Sequence, residues 1–173
     1  MGNKKVLLVI DMQNDFIDGT LRNEEAMKII ENVNKKITKY RENGDTIIFT
    51  RDTHDTNYLN TNEGKNLPVL HCIKGTEGWQ ISSKVNVGEH DKIIDKPTFG
   101  SLELAEYIAT IEPEKIELIG VCTDICVISN AMILKAKLPE IEISVDATCC
   151  AGVTPQSHKN ALEAMKMCHI NVI

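Results

Sequence analysis

Long basic runs, long hydrophobic runs, CxxC pairs and internal repeats are all missing from this 173-residue chain, and each absence removes a class of protein. With no stretch of lysine and arginine able to follow a phosphate backbone, and a formal net charge of −6 from acidic residues scattered along the chain, a nucleic-acid partner is not expected. The opening MGNKKVLLVIDMQND holds an apolar run of only about six residues before an aspartate ends it, too short for a signal peptide or a membrane span. A cytoplasmic protein with no membrane association is expected. The six cysteines, at 72, 122, 126, 149, 150 and 168, have no zinc-knuckle spacing and no small loop-rich scaffold around them, so reduced thiols are expected. No linker or low-complexity tract divides the chain. Its length, with 42% hydrophobic residues, supports one sizeable core, and residues 1–173 read as a single domain.

What is present is an alternation. The runs KKVLLVID, GDTIIFTRD and EKIELIGVC, with KIIDK, EIEISVD and HINVI, have the short, apolar, β-branched character of buried strands. Between them lie helical periodicities. EEAMKIIENVNKKITKYRENG carries an apolar stripe of Ala26, Ile29, Ile30, Val33, Ile37 and Tyr40 that Gly44 ends. Further helices are predicted at SLELAEYIAT, at TDICVISNAMILKAK and at TPQSHKNALEAMKM, where Thr154 suits the N-cap and Pro155 the first helical position. Parallel neighbours need crossovers, and the crossovers cover the sheet, so the pattern predicts a three-layer α/β/α, doubly wound, mainly parallel fold. From Asp52 to about Pro97 the chain is polar and irregular, the profile of a segment that builds a site.

Open parallel sheets bind ligands beyond the carboxyl ends of their strands, which directs attention to Asp11, Asp52 with His54, Lys96, and Cys122 to Cys126. In GVCTDICV, Thr123 and Asp124 are candidate N-caps that would place Cys126 in the first turn of a helix, where the dipole would lower a thiol pKa from about 8.5 into roughly the 3.5–7.5 range of activated cysteines. A buried structural cysteine explains the same segment equally well. Cys122, still on the strand, reads as that inert kind. Asp11 at a strand end is either a working carboxylate or a loop-fixing one. Lys96 is either a partner of anions or a solvated surface lysine. Asp52, His54, Glu63 and His71 share one excursion and offer mixed nitrogen and oxygen donors suited to zinc, manganese or iron(II). His158, near the start of the last helix, reads as a packing or hydrogen-bonding residue.

Taken in order, VIDMQNDF (9–16), TRDTHD (50–55), LPVLHCIKGTEG (67–78), DKPTFGSL (95–102), GVCTDICV (120–127) and VDATCCAG (145–152) resemble the isochorismatase-like cysteine hydrolases, a family that includes nicotinamidase, pyrazinamidase and N-carbamoylsarcosine amidase. The resemblance spans nearly the whole chain. It implies a triad of Cys126 as nucleophile, Asp11 as proton carrier and Lys96 as electrostatic partner, a cis peptide at Val121–Cys122, and an oxyanion hole from the backbone N–H groups of Cys122 and Cys126. It also implies a divalent metal, zinc first, on Asp52, His54, Glu63 and His71, and Phe16 flanking the ring of a small-molecule amide, nicotinamide first, in a homodimer or homotetramer. Leu67 and Pro68 stand where studied members carry a tryptophan. The competing readings are a metal-independent hydrolase of an N-carbamoyl or other small amide, an isochorismatase proper, and a non-catalytic binding protein on the same fold.

Overall fold

The computed structural model describes residues 5–173. In chain order its elements are β1 (Lys5–Ile10), α1 (Asn14–Ile17), α2 (Glu24–Glu42), β2 (Thr46–Asp52), a 3-10 turn (Tyr58–Asn60), α3 (Asn62–Asn66), β3 (Lys92–Lys96), α4 (Leu102–Ile111), β4 (Lys115–Val121), a π-helical turn (Thr123–Val127) leading into α5 (Ile128–Lys137), β5 (Glu142–Ala151), α6 (Pro155–Met167) and β6 (Asn171–Val172). The six strands form one sheet in the order β3-β2-β1-β4-β5-β6, and all five strand pairs are parallel.

Because successive side chains of a strand point to opposite faces, β1 feeds two cores. Val6, Leu8 and Ile10 pack with Leu104 and Ile108 of α4, Ala131 and Leu134 of α5, and Leu162 and Met165 of α6. Leu7 and Val9 pack on the other face with Ala26, Ile29, Val33, Ile37 and Tyr40 of α2. The three-layer, doubly wound arrangement expected from the alternation is therefore formed. Of the apolar stripe on α2, Ile30 alone stays at the margin, half-buried. The helix begins where the Asn23 side chain accepts the Glu25 N–H and ends before Gly44, whose φ of 72° a β-carbon would disfavour. At α6, Thr154 and Ser157 form a reciprocal capping box that spans Pro155, with Thr154 and Pro155 at the positions predicted for them. Among the described residues, no helix is long and apolar enough to cross a membrane.

The strand order reverses between β1 and β4, and such a switch point leaves a crevice at the strands' carboxyl ends. Gly120 makes the approach of these two strands possible. Its φ is 114°, and a Cβ there would lie 2.2 Å from the Ile10 carbonyl oxygen. Three features were not legible from the chain alone. The short helices α1 and α3 form inside loops, β5 continues past its apolar run to Ala151 after a register shift opposite Leu118 to Gly120, and the segment before α5 winds as a π turn.

Candidate active site and metal cluster

Asp11 leaves β1 in the left-handed conformation, with φ of 50°, a state aspartate tolerates better than most residues. Thr50 on β2 fixes it twice: its Oγ1 accepts the Asp11 N–H at 3.2 Å and donates to Asp11 Oδ1 at 2.7 Å. The other carboxylate oxygen, Oδ2, lies 2.6 Å from Nζ of Lys96, the last residue of β3. This is an ion pair without good hydrogen-bond alignment, since Oδ2 has no aligned donor. The Lys96 ammonium also donates to the Thr98 carbonyl at 3.1 Å and to Cys126 Sγ at 3.5 Å, and Asp52 Oδ1 is 3.6 Å away. Lys96 is 0% exposed, the reverse of a solvated surface lysine. Asp11, Lys96 and Cys126 thus meet from three different strands at the switch point.

Cys126 sits differently from expectation. The capping position before its turn is Cys122, with no side-chain cap, and Thr123 and Asp124 turn elsewhere. Thr123 Oγ1 is 2.7 Å from His158 Nδ1, and the Asp124 carboxylate accepts the Val153 N–H. The Val127 N–H reaches back to the Cys122 carbonyl at 3.0 Å, the long closure of a π turn, a form common at functional sites. The Val121–Cys122 peptide is cis, as the resemblance implied. The expected low thiol pKa is not found. Burial pushes the Cys126 thiol well above its ordinary value, with Lys96 pulling it down and Asp11 and Asp52 pushing it up. Desolvation outweighs the helix start because the sulfur is enclosed. Burial likewise raises the Asp11 carboxyl against the pull of Lys96. Cys122 is half-buried, packed against the core on one side and lining the cavity on the other, its thiol pushed up to about 12 chiefly by burial.

The second cluster adjoins the first through Asp52. Asp52 Oδ2 is 3.0 Å from His54 Nε2 and 3.4 Å from His71 Nε2, and Glu63 Oε1 is 3.4 Å and 3.9 Å from the same two nitrogens. One donor atom from each of the four residues lies within 4.8 Å of the others. These residues fit a divalent ion. Two imidazole nitrogens with two carboxylates suit zinc, manganese or iron(II), and Asp52 Oδ1 is buried without a hydrogen-bond partner. His71 Nδ1 is 2.8 Å from the Val69 carbonyl, the second contact that leaves Nε2 free to ligate. The cluster also draws positive charge. Although burial opposes protonation of His54, Asp52 and Glu63 raise its pKa to about 9, while the two histidines and Lys96 overcome burial to hold Asp52 far below the usual carboxylate range.

Residues that the sequence reading passed over hold this geometry. Gln13 is buried, donates to the carbonyls of Asp52 and Trp79 and accepts the Asp52 N–H, so it pins the end of β2. Asp15 accepts N–H groups of Thr20 and Cys72, tying α1 to the excursion. Asn130 on α5 donates to the Cys126 and Phe99 carbonyls and accepts the Ser101 N–H, joining the thiol turn to the loop after Lys96. A polar residue inside an apolar pattern was the signal available for Asn130, in VISNAMIL, and the polar stretch DMQND offered none for Gln13 and Asp15. Trp79 has a framing role: Nε1–H donates to Thr53 Oγ1 and Arg51 lies over the ring.

A cavity of about 740 Å³ opens over both clusters. Cys126, Cys122, Asp52, Glu63 and His71 form part of its lining, with Phe16, Leu67 and Phe99 as apolar walls. The Phe16 ring centroid is 5.8 Å from that of His71.

Comparison with known proteins identifies the family and the fold. The family profile described as Isochorismatase domain matches residues 5–173. An uncharacterised isochorismatase family protein of Bacillus subtilis is 33% identical over 143 residues, 75% of this chain and 77% of its own. A probable inactive nicotinamidase of Arabidopsis thaliana is 31% identical over 174 residues, 92% of this chain and 87% of its own. The pyrazinamidase of Pyrococcus horikoshii, solved in complex with zinc, matches with a TM-score of 0.87 at 30% identity over 98% of both chains. Members of this family are amidohydrolases that act on C–N bonds. The chain belongs to the isochorismatase domain family, beside its nicotinamidase-like and pyrazinamidase-like members.

Proposed function

We propose that this protein hydrolyses a small primary amide, nicotinamide first, to the carboxylic acid and ammonia. Cys126 is the nucleophile, Asp11 the proton carrier and Lys96 the electrostatic partner. The observation that carries the reading is the wholly buried Lys96 ammonium, held 2.6 Å from Asp11 Oδ2 and 3.5 Å from Cys126 Sγ. A cation is costly to bury unless it is paired, and here it faces the two groups that exchange a proton.

In the reaction, the Cys126 thiol passes its proton to Asp11 as sulfur attacks the amide carbonyl, and Lys96 stabilises whichever partner carries the negative charge. The N–H groups of Cys122 and Cys126 hold the oxyanion. Asp11 returns the proton to the departing nitrogen, ammonia leaves, and a thioester on Cys126 remains. Asp11 then takes a proton from water, which adds to the thioester carbonyl. Collapse of that adduct releases the acid and restores the thiol. Phe16 forms one apolar wall for the acyl group. Asp52, His54, Glu63 and His71 would hold a divalent metal, zinc first with manganese or iron(II) also suited to the set, which would supply a Lewis acid for a donor atom of the substrate. With nicotinamide the product is nicotinate, a salvage reaction of pyridine nucleotide metabolism. We read the protein as a cytoplasmic enzyme of one domain that assembles as a homodimer or homotetramer.

The test is ammonia release from a panel of nicotinamide, pyrazinamide and N-carbamoyl compounds, with and without chelator. Turnover of the ring amides, lost with the metal, supports the reading. Chelator-resistant turnover of N-carbamoyl compounds alone replaces it with the metal-independent amidase, and an unreactive Cys126 with no turnover of any amide replaces it with a binding protein.

A further inference from the structure

Thr123 and His158 flank the thiol turn, and the chemistry proposed above leaves them without a part. Thr123 is fully buried in the π turn, next to Cys122 and three residues before Cys126. Its Oγ1 lies 2.7 Å from Nδ1 of His158 on α6. That helix opens with Thr154 and Pro155, which line the cavity. A second bond runs alongside, from the Val153 N–H to the Asp124 carboxylate at 3.2 and 3.3 Å. The start of α6 packs closely on the end of β5, since a Cβ on Gly152 would lie 2.8 Å from the His158 Cβ. Burial favours the neutral ring over the pull of Asp124 and Glu25, and a neutral ring can offer Nδ1 as an acceptor to the Thr123 hydroxyl.

We propose that His158 is a positioning residue: through Thr123 it locks the π turn so that the Cys126 thiol and the N–H groups of Cys122 and Cys126 keep their alignment to a carbonyl seated against the start of α6. The inference rests on the amidase reading. Catalysis by a fixed thiol and fixed donors is sensitive to displacements well below those that unfold a domain. A link that only packed α6 onto the turn would show its loss in stability instead.

The test compares His158→Ala, His158→Asn, Thr123→Val, Thr123→Ser and the Thr123→Val/His158→Ala double variant in the full chain. The measurements are kcat and KM for ammonia release, the melting temperature, and the rate of Cys126 alkylation by iodoacetamide. His158→Ala and Thr123→Val are each expected to lower kcat roughly 10- to 100-fold, with little change in KM or melting temperature. The double variant is expected to be no worse than either single one, because the two residues act as a unit. His158→Asn, whose amide can occupy the place of Nδ1, and Thr123→Ser, which keeps the hydroxyl, are expected to restore most of the rate. Losses of kcat that track losses of melting temperature, additive single effects, or an Asn variant as impaired as the Ala variant would overturn the positioning role. If the wild-type protein turns over no amide, the amidase reading falls by itself. Alkylation rates that are equal across all variants then overturn this inference as well, and rates that differ in the expected order retain it.

Discussion

Lys36 and Lys96 are each held between two carboxylates, and the two clusters differ in how completely their polar atoms are used. Lys36, on α2, lies 2.5 Å from Glu117 and 2.7 Å from Asp146. Tyr40 donates to the second Glu117 oxygen at 2.6 Å, and Thr148 donates to the second Asp146 oxygen through both its hydroxyl and its N–H. Each carboxylate oxygen of this cluster has a partner. Around Lys96, Asp11 Oδ2 and Asp52 Oδ1 lack an aligned donor, and they are the two such buried side-chain atoms among the described residues. Lys96 is also the more deeply enclosed, at 0% against 18% side-chain exposure for Lys36, yet its cluster faces the cavity through Asp52 and Cys126. A satisfied buried network holds helix to sheet. An under-satisfied one beside a cavity keeps lone pairs available for a ligand or a proton.

The contrast is tested most severely by removing the proposed nucleophile. Cys126→Ala is expected to lower turnover by on the order of 10⁴-fold or more while the thermal transition stays in place, and ammonia release measured beside a melting curve checks both halves. Retained turnover would break the chemical side of the comparison. His54→Ala is expected to take the metal content from stoichiometric to a small fraction, read by elemental analysis after dialysis, with the fold retained. Unchanged metal content would remove the cluster's role.

Lys36→Met works on the opposite side. It strands Glu117 and Asp146 without their cation, and breaking a buried pair costs about 3–5 kcal/mol. Denaturant unfolding should show that loss while kcat per folded molecule is unchanged; lost activity with stability kept would erase the distinction between the clusters. Tyr40→Phe removes one hydrogen bond to a charged acceptor, and a loss of roughly 2 kcal/mol is expected from the same unfolding experiment.

The smallest effect is a difference in pH dependence. Lys36 and Thr148 lower the Asp146 pKa although burial opposes them. A depressed carboxyl contributes stability above its unfolded pKa, near 4, and loses it as pH falls through the lower folded value. Acid unfolding of the Lys36 cluster therefore belongs below about pH 4. Asp11 must be ionised to accept the thiol proton, and burial raises its pKa, so the acid limb of kcat/KM at saturating metal should lie above about pH 4. Activity that vanished only where the protein unfolds would merge the two limbs.

Much of the fold was legible because its signals are local. The apolar runs that became β1, β2 and β4, the stripe on α2, and the Thr154–Pro155 start of α6 all depend on residues within a few positions of one another. Chemistry-bearing residue types after strands were visible for the same reason, and Asp11, Lys96 and Cys126 do meet. Thr50, Gln13 and Asn130 were not legible as supports, since each acts on a partner that only folding brings near; Thr50 lies 39 positions from Asp11, and Gln13 lies 39 positions from Asp52. The Thr123 and Asp124 caps failed because both side chains found partners on or beside α6.

By itself the sequence determined the order of the main strands and helices, the start of α6, and the inventory of a thiol, a lysine, carboxylates and imidazoles at strand ends. The tertiary structure alone decided the charge states: a thiol raised by burial, a lysine wholly enclosed between Asp11, Asp52 and Cys126, and a histidine drawn upward by two carboxylates. Helix and strand patterns arise from hydrogen bonds and side chains a few residues apart. Proton affinity depends on desolvation and on charges a few ångströms away in space, distances that exist only once β1, β2, β3 and β4 lie side by side.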